Sequence, residues 1–322
     1  MRLTDNMITG NYLKGLNRNL QDLSDLNTKV SAQRRFMKMS EDPARAVKAF
    51  DVRKDLNRID LYNTSLNDSQ ALLDEAEDSL STISDVMTET LAHISQGMNG
   101  SMSDSDRATV ANTLRSYQQM ILGAANVKSS GRYLFGGSGF GETPFTVNGS
   151  GQLTYNGQNV NTGSFPAEHR YVDIGIGLSI SGGTVDPQTA LDVAYSGADL
   201  LGTGMDGNGL PNNLYNLIGE IADKIEAGDL DDIATYTDKL ESRADDVRMQ
   251  YVSIGEKSNY ISFFTNRLAS EKITASAKQS DLESLPLEEG AILFSQQELM
   301  YNACLQMGTK ILQPSLLDYL SS

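Results

Sequence analysis

Two heptad series run through this chain and constrain its fold more than any polar residue does. One is Val52, Ile59, Leu66, Leu73, Leu80, Met87 and Ile94; the other is Ile233, Leu240, Val247, Ile254, Ile261, Leu268, Ala275 and Leu282. A seven-residue apolar period keeps one stripe of a helix on a partner helix. At about 1.5 Å per residue such helices run roughly 60 to 80 Å, far longer than an average globular helix. Lengths of this kind suit rods, stalks and filaments rather than the walls of a pocket. Polar residues inside the repeat add a second message. Asn63, Gln70, Glu77 and Ser84 stand four residues after apolar positions of the first series, and Ala244, Tyr251, Ser258 and Thr265 do the same in the second. A two-stranded coil prefers apolar residues there. The helices are therefore expected to pack in a small bundle, with this alternate row partly wet or covered by a helix over 105–128.

The rest of the chain is arranged around these helices. Residues 11–31 predict a helix carrying Leu13, Leu16, Leu20, Leu23 and Val30, and residues 288–312 predict another carrying Ile292, Leu299, Ala303, Met307 and Ile311. Each alone is marginal in water and gains by packing on the other or on a neighbouring molecule. The first long helix is expected to start at Ser40-Glu41-Asp42-Pro43, with Ser40 as its cap and Pro43 in the first turn, and to run to Gly97. Residues 131–210 change character. Gly136-Gly137, Asn148-Gly149 and Asn156-Gly157 signal tight turns between short strands. His169–Gly182 alternates apolar with polar or glycine residues, and the stretch 189–201 is expected to hold a short helix. Helices near 211–227 and 229–285 follow.

The expected class is mainly α with a β-rich insertion. It is an elongated rod of long antiparallel helices, with the terminal helices pairing as a coiled coil and the β domain at the far tip. Three domains are expected: 1–40 with 286–322 as an inner terminal coiled coil, 41–130 with 211–285 as a helical rod, and 131–210 as an outer β-rich domain. The rod core is assigned to Val52, Ile59, Leu66, Leu73, Leu80 and Leu240.

Composition removes several functions. A net charge of -16 argues against phosphate-backbone binding and against an anionic membrane surface. No run of 18 apolar residues spans a bilayer, and the first residues lack an apolar signal core. Cys304 is the only cysteine, so an internal disulfide is impossible and burial is the expected role. His93 and His169 are the only histidines and have no ligand-like spacing. The loop 136–145 is rich in glycine but lacks the Gly-Lys-Ser/Thr ending of a phosphate loop. Asp74, Glu75, Glu77 and Asp78 read as the solvated side of a heptad helix. No catalytic, cofactor-binding or metal residue is assigned, and no cofactor is expected.

The ends carry a resemblance. Val30-Ser31-Ala32-Gln33-Arg34-Arg35 leading into Ser40-Glu41-Asp42-Pro43-Ala44, the stretch 280–283, Ala303 to Lys310, and 315–320 with Leu316 and Leu317 resemble the flagellin superfamily. Tyr133-Leu134-Phe135-Gly136-Gly137, Thr143-Pro144-Phe145 and Leu153-Thr154-Tyr155-Asn156-Gly157 are similar to the hook-associated protein 3 family of hook–filament junction proteins. Glu41 stands where Asp is usual, no Gly occupies 31–33, and Gly308 interrupts the closing helix, where it weakens the helix but permits close packing.

The resemblance implies a structural, non-catalytic protein of the bacterial flagellum. The implied partners are hook-associated protein 1, flagellin, further copies of the chain in a ring, and an export chaperone, with no nucleic acid and no membrane insertion. It implies type III export without a cleaved signal peptide and an extracellular place at the hook–filament junction. The assembly interface would be Leu13, Leu16, Leu20, Leu23, Val30, Ile292, Leu299, Ala303, Met307, Ile311, Leu316 and Leu317. Asp at Leu20 or Leu299 is expected to abolish assembly and spare the rod; Asp at Leu66 or Leu240 is expected to damage the rod itself. The alternative is a flagellin-type subunit that self-polymerises.

Overall fold

The computed structural model describes residues 5–129, 131–137, 142–149 and 151–320, with side chains described between residues 7 and 310. Seven helices are described: α1 (Asp5–Ser31), α2 (Pro43–Gly97), α3 (Asp104–Ala125), α4 (Gly197–Leu201), α5 (Leu214–Ala227), α6 (Ile233–Glu283) and α7 (Leu287–Leu320). The chain divides into two compact units, Met1–Ile59 with Ala269–Ser322 and Asp60–Leu268. The division falls within α2 and α6, which are continuous helices of 55 and 51 residues.

In the unit Asp60–Leu268, α2 and α6 run antiparallel. Tyr251 donates from its hydroxyl to Glu77 at 2.9 Å, and the Gln70 amide meets the Ser258 hydroxyl. This register sets Leu66 level with Ile261, Leu73 with Ile254, Leu80 with Val247, Met87 with Leu240 and Ile94 with Ile233. All ten are buried, none more than 2% exposed. Full burial of one such side chain stabilises by about 1.5 to 3 kcal/mol before ordering costs. In the alternate row Ala244 is buried, Tyr251 is exposed and the other six residues are half-buried, and the two hydrogen bonds pair Gln70 with Ser258 and Glu77 with Tyr251.

The bundle uses a different second row. Ser69, Ala76, Ile83 and Thr90, three residues after the main series, are buried. Gly97 ends that row, and a Cβ placed there would sit 2.9 Å from Ile225 of α5 and 3.2 Å from Val110 of α3. The Ser79 hydroxyl donates to the carbonyl of Ala124 at 2.7 Å. Helices α3 and α5 are antiparallel: Gln118 donates to the Tyr215 carbonyl at 2.8 Å, and Arg115 reaches Asp223 at 2.7 Å. Ser103 caps α3, and the buried Asn213 caps α5 by accepting from the N–H groups of Tyr215 and Asn216.

The strands are short: β1 (Lys128–Ser129), β2 (Arg132–Tyr133), β3 (Phe145–Val147), β4 (Leu153–Tyr155), β5 (Gln158–Asn159), β6 (Tyr171–Asp173), β7 (Ile180–Ser181), β8 (Thr184–Val185) and β9 (Ala190–Asp192). β3, β4 and β5 form one antiparallel sheet, and β1–β2, β6–β9 and β7–β8 pair separately. Between β4 and β5 the turn is Asn156-Gly157, both at positive φ, +48° and +80°, the geometry a two-residue hairpin needs. Phe135, Phe145, Leu153, Tyr155 and Val160 form a small core, and the Tyr155 hydroxyl donates to the Phe135 carbonyl at 3.0 Å.

Two local expectations change. Asp42, not Ser40, caps α2: the Arg45 N–H donates to its carboxylate at 3.0 Å. With Pro43 as the first helical residue, Ser40 stands two residues too early. The alternating stretch 169–182 yields only β6 and β7, because Gly175 and Gly177 take positive φ and interrupt the pleat. The stretch 189–201 holds the short helix expected of it, α4, preceded by β9. Residues 138–141 of the glycine-rich loop lie outside the described residues.

Candidate assembly interface

The unit formed by the two ends is built on α1 and α7. On α1, Tyr12, Leu16, Asn19, Leu23, Leu26 and Val30 are half-buried at alternating steps of four and three. On α7, Gly290, Phe294, Gln297, Tyr301, Cys304 and Gly308 follow the same steps. Each set is one heptad seam. The helices run antiparallel, with Tyr12 against Gly308 and Val30 against Gly290; between these, the Asn19 amide donates to Cys304 Sγ at 2.8 Å, and Gln297 donates to the Asn19 carbonyl at 3.4 Å. Glycines stand near both ends of the seam. A Cβ at Gly308 would fall 2.1 Å from the Tyr12 hydroxyl, and one at Gly290 would fall 3.0 Å from Val30. Gly308 is thus the close-approach point its sequence position implied.

The twelve residues expected from sequence separate into groups. Leu16, Leu23 and Val30 lie in the α1–α7 seam. Leu13 and Leu20 are exposed, as are Ile292, Leu299, Ala303 and Met307. The side chains of Ile311, Leu316 and Leu317 lie outside the described ones. The stripe expected on α1 is therefore two stripes, and the aliphatic stripe of α7 points away from α1. On α7 the inward row mixes small and polar residues with Phe294 and Tyr301, and its glycines receive the side chains of Tyr12 and Val30 from α1. Sequence reasoning passed over Tyr12, Asn19, Leu26, Phe294, Gln297 and Tyr301. Their signal was the strict alternation of three and four, hidden behind more hydrophobic neighbours.

The exposed face of α7 is unusual for a surface. Leu299 is 70% exposed and Ile292 59%, seven residues apart, with Met300 and Met307 beside them, also seven apart. From Gly290 to Thr309 the only charged residue is Glu298. A helix apolar on opposite faces fits burial on both sides, and an extended exposed apolar stripe marks a contact surface.

A polar collar ties the chain next to this pair. The Arg35 N–H donates to the Glu283 carbonyl at 2.8 Å and the Leu285 N–H to the Gln33 carbonyl at 2.9 Å. Gln33 takes φ of +51°, so the turn after α1 is made without glycine. Arg35 grips Glu289 with two bonds of 2.8 and 2.7 Å, and Arg53 grips Glu283 with two of 2.6 Å. Glu41 accepts from Lys29 at 2.9 Å, and that bond holds its carboxyl below the ordinary value. These pairs remain open to solvent on at least one side and add orientation more than stability.

The other candidate groups gain ordinary partners. His93 packs on Tyr117 with ring centroids 5.6 Å apart. His169 Nδ1 lies 2.7 Å from Asp192. A cleft of about 390 Å³ is lined by Asp68, Glu75, Arg132, Arg170 and Tyr195, among others. Burial pushes the Tyr195 phenol up, the wrong direction for a base. Among the described residues no cluster of three or more His, Cys, Asp or Glu is placed to hold a metal, and no helix is long and apolar enough to cross a membrane.

Residues 3–139 match the bacterial flagellin N-terminal helical region. No curated protein matches the chain significantly. Solved structures do. A protein of Vibrio parahaemolyticus described as a flagellar hook-associated protein superposes with a TM-score of 0.62 at 19% identity, covering 76% of this chain and 100% of that one. Flagellar hook associated protein-3 of Legionella pneumophila gives 0.56 at 14%, covering 72% and 98%. Bacillus cereus FlgL gives 0.54 at 16%, covering 71% and 99%. At these identities the likeness establishes the fold.

Proposed function

We propose, from the match of residues 3–139 to the bacterial flagellin N-terminal helical region, that this chain is a structural protein of the flagellin and hook-associated protein superfamily that joins the flagellar hook to the flagellin filament. The observation that carries the reading is the terminal helix pair. α1 and α7 close one seam within the chain and leave a nearly uncharged apolar stripe of α7 exposed. Such a stripe is costly on a free molecule and useful on one that is buried in an assembly.

In this reading the protein is exported without a cleaved signal peptide, with a chaperone on the carboxyl-terminal helix, and takes its place outside the cell. It binds hook-associated protein 1 on one side and flagellin on the other, with several copies in a ring. The three-part division is kept as part of the proposal: 1–40 with 286–322 in the filament core, 41–130 with 211–285 as the surrounding rod, and 131–210 outward. The work is mechanical. The α2–α6 seam transmits load along continuous helices, and the terminal pair makes the joint. No step needs a cofactor or an acid–base group.

The test is to mix purified protein with hook–basal bodies capped by hook-associated protein 1 and to image them before and after flagellin is added. A short zone at the hook tip that permits filament growth is expected. Unlimited self-polymerisation would assign the chain to the flagellin subunits instead, and absence of binding would remove the junction reading.

A further inference from the structure

The cleft of about 390 Å³ beside α2 lies wholly within the unit Asp60–Leu268 and has no part in the terminal helix pair. One wall is a single stripe of α2: Asp68, Ala71, Leu72 and Glu75 share one face over two turns. The other wall comes from the β insertion. Arg132 lies in β2, Arg170 just before β6, and Val193 and Tyr195 just after β9. Backbone bonds fix this wall. The Val193 N–H donates to the Arg170 carbonyl at 2.8 Å, and the Leu134 N–H donates to the Val127 carbonyl at 3.0 Å. The Lys257 ammonium packs over the Tyr195 ring, 4.4 Å from its centre. Two polar atoms of the cleft are buried without a hydrogen-bond partner among the described residues, Glu75 Oε2 on one wall and the Tyr195 hydroxyl on the other. An unmet buried polar atom is destabilising and calls for a partner. The carboxylate oxygen can only accept, whereas the phenol, which burial keeps protonated, can donate.

We infer that this cleft binds a free aliphatic α-amino acid, with the ammonium group on Glu75, the carboxylate on the side of Arg170 and Tyr195, and the side chain on Leu72, Leu134 and Val193. The division of charge selects the class. Both acids, Asp68 and Glu75, stand on the α2 wall, and both guanidinium groups, Arg132 and Arg170, stand on the insertion wall. A lone cation meets the arginines and a lone anion meets the acids, each at a like-charge cost. A zwitterion answers both walls at once. A neutral sugar takes charged groups out of water and returns no counter-charge. Exposed Asp68 and Arg132 form the rim, and half-buried Glu75, Arg170 and Tyr195 lie further in. The volume falls at the small end of the range of about 300 to 1,000 Å³ usual for ligand pockets, which suits one amino acid better than a peptide. The contact is one of binding alone; no bond is made or broken.

Isothermal titration calorimetry of the full chain with L-leucine and L-valine tests this. Isoamylamine, which is leucine without its carboxylate, and 4-methylpentanoate, which is leucine without its ammonium group, are titrated beside them, with maltose as the neutral comparison. L-Leucine is expected to bind at least about tenfold more tightly than any of these three. Two variants place the site. Glu75→Gln keeps the shape and removes the charge, and is expected to weaken L-leucine binding about tenfold or more. Tyr195→Phe removes only the hydroxyl and keeps the ring beneath Lys257, and is expected to weaken it about three- to tenfold. Thermal unfolding checks that each variant folds, and either one alone suffices to decide. No binding of either amino acid up to about 10 mM would mean that solvent alone meets the two buried atoms, and would overturn the site. Isoamylamine, 4-methylpentanoate or maltose binding as tightly as L-leucine would overturn the zwitterion. Folded variants that bind L-leucine like the natural chain would put the binding elsewhere and overturn the assignment to this cleft.

Discussion

Leu299 separates the two roles a buried-looking leucine can have. It sits in the middle of α7, but 70% of it is exposed in the single chain. Leu299→Ala therefore removes few intrachain contacts and exchanges two good helix formers, so monomer stability is expected to change by less than about 0.5 kcal/mol. In an assembly the same side chain is covered. Full burial of Leu is worth about 1.5 to 3 kcal/mol, and the exposed share of it is about 1 to 2 kcal/mol. At about 1.4 kcal/mol per tenfold, Leu299→Ala should weaken attachment to capped hooks by about 5- to 30-fold. Leu299→Asp should weaken it further, because it buries an unpaired charge. The assay pairs thermal unfolding of the monomer with titrated binding to hook fragments. A large fall in monomer stability would place Leu299 in the intrachain core. Unchanged binding of the Asp variant would refute the interface reasoning.

Leu66→Ala or Leu240→Ala should do the reverse, destabilising the α2–α6 bundle by about 2 to 5 kcal/mol in denaturant unfolding, since both side chains are fully buried. Asn19→Cys should form a disulfide with Cys304 within one chain under mild oxidation, because Asn19 already contacts that sulfur; only interchain products on a non-reducing gel would contradict the α1–α7 seam. The last prediction concerns pH. Burial raises the Asp192 carboxyl, but His169 and the N–H groups of Ala194 and Arg170 outweigh it and hold the pKa below the ordinary value. A carboxyl depressed in the folded state stabilises fully above the ordinary pKa near 3.9 and loses that contribution as pH falls through the folded value. Asp192→Asn should flatten the acid side of the stability profile between about pH 4 and the folded pKa, and an unchanged profile would deny the carboxylate this role.

The sequence was most legible where packing repeats. Seven-residue spacing identified both members of the α2–α6 seam, and every member from Leu66 to Ile94 and from Ile233 to Leu268 is buried. Asn156-Gly157 named its own hairpin. Legibility failed where a small or polar residue does the work of a large one. Gly308, Cys304 and Asn19 belong to the terminal seam, but a search for aliphatic residues finds only Leu16, Leu23 and Val30 of it and takes in Leu299 and Ile292, which are exposed. The three-residue row of Ser69, Ala76, Ile83 and Thr90 was missed for the same reason. Helices α3 and α5 close over the far end of this row, where Ser79 bonds to Ala124 and Gly97 meets Val110 and Ile225, and that proximity is a tertiary fact.

The most direct test of the account follows residue 299 itself. Leu299→Cys in a Cys304→Ser background gives one thiol on the outer stripe of α7. Its reaction rate with a maleimide is measured in the free chain and in the chain attached to capped hooks. The account predicts fast labelling when free and at least about tenfold slower labelling when attached. Equal rates in both states would mean that the stripe stays open to solvent in the assembly, and the terminal helix pair would not be the joint.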